Sequence, residues 1–169
     1  MLGQGRFILA ALALAGLGTL CPAQADEMIE TRIVMHVTSL QTQDVGDVEG
    51  HVVGLIRSSG IASFQDGSTA TAFLVAQTDY VKGSGTVSNY SNLTFDDGSV
   101  LWYKATGTAT AEGARTIFRG TITVIGGKGR FAGAKGDGGY TGARTGPLAS
   151  GADPRSDDQR EEIAGARHP

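Results

Sequence analysis

The chain has 169 residues, with 14 Lys and Arg against 17 Asp and Glu, and 26 glycines; that length suits one domain. A formal charge of -3 provides no continuous cationic surface for phosphate, which argues against nucleic acid as a partner. The single cysteine, Cys21, cannot form an internal disulfide or a thiolate metal cage, and His36, His51 and His168 stand far apart in the sequence, so no structural metal is expected.

Residues 1–25 read as a cleaved secretory signal. Arg6 precedes an apolar run from Phe7 to Leu20, and the small-residue ending Ala23-Gln24-Ala25 follows. The run is about 14 residues long, short of the roughly 20 that span a bilayer. A periplasmic or secreted protein with no stable membrane anchor is therefore expected. Leu20 is bulky where a lipoprotein signal would place a small residue before Cys21.

The body, residues 26–149, reads as strand after strand. Ile29 to Leu40 alternates apolar and polar positions and is rich in β-branched residues. A polar link from Gln41 to Gly46 follows, then a second strand from Val48 to Arg57 and a short third one from Gly60 to Phe64. Gln65-Asp66-Gly67 is a turn signal, because glycine accepts the positive φ that other residues resist. Thr69 to Val81, Thr86 to Phe95 and Val100 to Thr110 are the next strands, separated by Lys82-Gly83-Ser84-Gly85 and Asp96-Asp97-Gly98. Arg115 to Ile125 is followed by a glycine-dense stretch, and Gly138 to Arg144 comes last. No apolar period of 3.6 persists outside the leader, so the expectation is all-β, a sandwich or a closed barrel. Closure is favoured because it abolishes exposed strand edges. Residues 150–169 carry eight charged side chains before His168 and one large apolar residue, Ile163; a disordered charged tail is expected there.

Val124-Ile125-Gly126-Gly127-Lys128-Gly129-Arg130-Phe131-Ala132-Gly133-Ala134-Lys135-Gly136 resembles the strand-turn segment of the allene oxide cyclase and dirigent barrel superfamily. Gly85 to Ser99 looks like the bacterial branch of the same group. The resemblance implies a closed, antiparallel, eight-stranded, calycin-like barrel with an apolar cavity, often assembled as a homotrimer. It also implies cofactor-free chemistry, in which a cavity holds one fold of a reactive apolar molecule. The functional expectation is an exported barrel that binds a small apolar molecule in its lumen, with a cofactor-free cyclase or isomerase as the alternative. The glycine segment has a physical reading of its own: a tight reversal from which Phe131 returns to the core. A phosphate loop would need a strand-loop-helix context and a Gly-Lys-Ser/Thr ending that are missing here.

Six residues stand out as site candidates. His51 could carry a proton near neutral pH if a carboxylate held its ring, although a structural role is the commoner fate of such a residue. Arg119 sits mid-strand and either faces water or pairs inside the barrel with Asp79 or Glu49. Trp102 and Tyr103 point to opposite faces, so one of them should line the lumen. His51, Tyr103 and Arg119 are taken as catalytic candidates, and Tyr90, Asn92 and Trp102 as ligand-binding candidates.

Overall fold

The computed structural model describes residues 27–145 and the backbone of residues 157–166. Seven strands follow one another: β1 (Glu27–Asp44), β2 (His51–Phe64), β3 (Thr69–Val81), β4 (Ser84–Phe95), β5 (Val100–Glu112), β6 (Arg115–Lys128) and β7 (Gly136–Thr145). Each pairs antiparallel with the next, giving one all-β sheet in chain order. A single 3-10 turn, Gly129–Phe131, interrupts it. No helix among the described residues is long and apolar enough to cross a membrane. The leader expected at residues 1–25 lies outside the described residues.

The turns follow from their residues. Asp66 accepts the Ser68 N–H at 2.9 Å while Gly67 takes a φ of 84°, and Asp97 accepts the Ser99 N–H at 2.9 Å while Gly98 takes 78°. Both are side-chain-capped turns in which the carboxylate replaces a backbone acceptor.

Alternation along each strand then sorts the side chains. On β3, Ala70, Ala72, Leu74, Ala76, Thr78 and Tyr80 are buried and the intervening residues are not. Inner faces of all seven strands meet in one core, in which Ile33, Leu93, Leu101, Tyr103 and Ile122 are fully enclosed. Burial of each such side chain is worth about 1.5–3 kcal/mol. One end of this core is aromatic. The Phe131 ring lies 5.0 Å from that of Phe95, which lies 5.3 Å from that of Phe64. A Cβ on Gly127 would stand 2.5 Å from the Phe131 Cβ, so the glycine-dense stretch is the packing device that lets Phe131 return inward.

Two departures from the sequence reading matter. The expected second and third strands are one strand, β2, and no break falls at Ser58-Ser59-Gly60. A Cβ on Gly60 would lie 1.9 Å from the Val34 carbonyl oxygen. This glycine marks close approach of β1, next to the register shift between Val37 and Ser39, and not a turn. Where a disordered tail is expected, Asp157–Ala166 (β8) is extended backbone. Its Cα partners run from Gly139↔Glu162 to Arg144↔Asp157 on β7 and from Glu27↔Ala166 to Val34↔Asp158 on β1. The outer strands of a sheet offer unpaired N–H and C=O groups, and these recruit extended backbone regardless of side-chain hydropathy.

Candidate functional site

The inner faces of β1, β2, β3, β4, β6 and β7 line a cavity of about 50 Å³ between the aromatic end and the opposite end of the sheet. Ile56, Leu74, Val87 and Phe118 form its apolar walls, and Ser58, Thr78, Asn89, Tyr80 and Arg144 contribute polar groups. Each of these polar side chains is buried. Ser91 Oγ donates to Asn89 Oδ1 at 3.0 Å, which turns the Asn89 amide within the core.

Arg144 is the one charged side chain among the described lining residues, and only 9% of it is exposed. It is the register partner of Thr116, and its Nη2 donates to Thr116 Oγ1 at 3.1 Å. Its guanidinium carbon lies 5.5 Å from the centre of the Phe118 ring, a cation over an aromatic face. Among the described residues its buried Nε has no hydrogen-bond partner. Tyr80 is buried nearby; burial pushes its phenol up to about 12, and the positive charge of Arg144 pulls it back in part. Tyr80 is thus a neutral hydroxyl at physiological pH, fit to donate a hydrogen bond rather than to remove a proton.

Tyr140 sets the floor beside them. Gly107 and Gly120 are register partners on β5 and β6. A Cβ on Gly107 would meet Tyr140 Oη at 2.7 Å, and one on Gly120 would meet the ring at 2.5 Å. The tyrosine occupies the space that two side chains would have taken, covering a glycine pair with an aromatic ring. Tyr140 and Arg144 share one face of β7 by alternation, so seating the first orients the second.

The candidates taken from sequence do not gather here. His51 begins β2 at the end of the sheet opposite the phenylalanines, where Nδ1 lies 2.5 Å from Asp47 Oδ1 and Nε2 2.8 Å from Asp79 Oδ1. The hydrogen bond to Asp79, followed by that to Asp47, raises its pKa. With both ring nitrogens engaged, His51 clamps the loop between β1 and β2 and leaves no nitrogen to relay a proton. Arg119 is exposed on the outer face opposite Thr108; Asp79, its proposed partner, bonds to His51, and Glu49 pairs with Lys82 at 3.2 Å. Tyr103 is the inward member of its pair, 1% exposed, and packs in the core without lining the cavity. The three catalytic candidates therefore occupy three separate surroundings and make no common constellation.

Tyr90, Asn92 and Trp102 do stand together, but outside. Asn92 and Trp102 are register partners, Tyr90 is 60% exposed, and Lys104 lies 5.8 Å over the Tyr90 ring. They cannot line the interior, because alternation from buried Tyr103 and Ser91 places them on the solvent face. What the sequence reading missed is Arg144. Its signal was available in the spacing Tyr140, Gly142, Arg144, which puts the arginine on the face of a core tyrosine.

Two larger hollows lie elsewhere. A groove of about 880 Å³ crosses the outer face at the His51 end, between Gln41, Leu55, Gln77 and Asp79. One of about 620 Å³ lies by the phenylalanines, where Arg130 stacks 4.3 Å from the Phe95 ring centre and reaches Asp97 at 3.4 Å. Both are wide and largely exposed, and neither holds a buried polar group without a partner.

No family model, no curated protein and no solved structure matches the chain.

Proposed function

We propose that this protein is an exported, closed, eight-stranded antiparallel barrel, allene oxide cyclase-like in build, that binds a small and largely apolar molecule inside. The observation that carries the reading is the inner cavity, whose apolar walls surround a few convergent, buried polar groups, the usual composition of a small-molecule site. Closure is supported by the Cα register of β8 against both β7 and β1, since pairing on both sides would leave neither outer strand with a free edge.

Size selects among functions. A cavity of about 50 Å³ is roughly one third of the ~150 Å³ that admits benzene, so the ligand has only a few heavy atoms. That favours binding over the cyclase alternative, whose long polyene or epoxide needs far more room. Association of copies, a homotrimer by the family resemblance, belongs to the same proposal; Phe73, Tyr90, Trp102 and Ile125 are exposed on the outer face and supply apolar contact area.

Native mass spectrometry of protein purified from its own host tests both parts. A retained small molecule is expected, lost in an Ala76→Leu variant that fills the cavity, on particles that are a multiple of the chain mass. Adduct-free particles in wild type would overturn the binding reading.

A further inference from the structure

We propose that the outer face between β1 and β5 is a glycan site, in which the groove at the His51 end and the aromatic side chains beyond it hold one extended oligosaccharide of equatorially substituted hexopyranose units. It is a second site, on the face of the sheet opposite the inner cavity, and goes beyond the binding function proposed above.

The groove has a volume of about 880 Å³, enough to take an organic ligand. Amides and hydroxyls dominate its sides, from Gln41, Gln77, Thr86, Ser88 and Thr106, with Val53 and Leu55 as apolar ground between them. Asp79 is the one charged side chain among the described lining residues, and it is already engaged by His51 Nε2 at 2.8 Å. A ligand complementary to this lining is uncharged and rich in groups that both donate and accept, which describes sugar hydroxyls.

Register carries the groove onto an aromatic strip. Thr86, Ser88, Tyr90 and Asn92 follow one another on the outward face of β4, a span of about 20 Å. Gln77 and Thr106 flank Ser88, Val75 and Lys104 flank Tyr90, and Phe73 and Trp102 flank Asn92. The last two rings stand two strand spacings apart, about 10 Å, and Phe73, Tyr90 and Trp102 are all exposed. Asn92 Oδ1 accepts from Thr94 Oγ1 at 3.4 Å, which leaves the amide N–H groups to donate. A hexopyranose with equatorial substituents carries its hydroxyls around the rim and keeps apolar C–H faces, so amides meet the rim and aromatic rings meet the faces. A peptide adding as a strand needs unpaired edge backbone, and β3, β4 and β5 are each paired on both sides. A polyphosphate needs a run of cations, whereas Arg57 and Lys104 are the pair that flanks this strip.

Trp102 is the single tryptophan of the chain, so its fluorescence reports on the site directly. Titration of the full protein with cellohexaose, a flat ribbon, should shift the emission to the blue and saturate. Maltohexaose, the same sugar in a coiled chain, should bind at least about tenfold more weakly, the size of one lost stacking contact. By calorimetry, Trp102→Ala should weaken cellohexaose about tenfold and Gln77→Ala about fivefold. Emission indifferent to millimolar cellohexaose, or equal affinity for the two sugars, would overturn the glycan site. So would emission that shifts on dilution of the protein and ignores both sugars, the result expected if a second copy covers the strip. These titrations use wild-type protein and decide the matter even where a variant does not fold, and a negative result leaves the molecule retained in the inner cavity untouched.

Discussion

At the scale of single residues the most informative group is His51, because two carboxylates compete for its proton. Protonated, it donates Nδ1–H to Asp47 and Nε2–H to Asp79. These bonds raise its pKa from 6.5, and the same contact holds Asp47 below 3.8. A raised histidine contributes stability that is complete below its unfolded value and disappears as pH climbs through the folded one; a depressed aspartate contributes stability that is complete above its unfolded value and disappears as pH falls. The clamp is therefore fully engaged between 3.8 and 6.5. The melting-temperature gap between wild type and His51→Gln should be widest near ~pH 5.5 and shrink by about pH 9. A gap unchanged over that range would contradict the clamp. Added salt should narrow it too, since both carboxylates are more than half exposed. From the sequence, His51 could be recognised as needing a carboxylate. Its identity could not, because Asp79 comes from another strand 28 residues away.

Among the elements, β2 shows how a glycine can mislead. Gly60 looks like punctuation, yet it sits mid-strand opposite Met35, where the β1 backbone leaves no space for a Cβ. Gly60→Ala should destabilise by about 1–3 kcal/mol, the usual range for overpacking, measured from denaturant midpoints. Gly139→Ala is the control: its Cβ would meet nothing nearer than 3.6 Å, and its φ is not positive. It should stay within about 0.5 kcal/mol of wild type. Equal losses in the two variants would mean that backbone entropy, and not close approach, governs these strands. The hairpin turns were legible because Asp66-Gly67 and Asp97-Gly98 form through contacts only two residues apart. The continuity of β2 was not, because its reason lies on another strand.

For the whole molecule the deciding element is β8. If Asp157–Ala166 completes a ring, its amides are held between β7 and β1 and should exchange with solvent slowly, at rates close to those of β3 in the middle of the sheet. Hydrogen exchange read by mass spectrometry on the full chain checks this directly, and exchange at the rate of an unstructured peptide would leave the sheet open. Hydropathy could not point to this strand. A segment with one large apolar side chain, Ile163, has no core pattern, and only the unpaired edges of its neighbours give it a place.

Sequence alone determined the all-β class, most strand limits, the Asp-Gly turns and the inward return of Phe131, since each depends on period-two alternation or on contacts a few residues long. It also showed that Trp102 and Tyr103 oppose each other. Which of the two faces is the interior was decided only in the tertiary structure. Alternation fixes the relation between neighbours but carries no sign; the sign comes from strands far apart in the chain packing their alanines, leucines and tyrosines together, and that packing is what turned Tyr90 and Trp102 outward and enclosed Arg144.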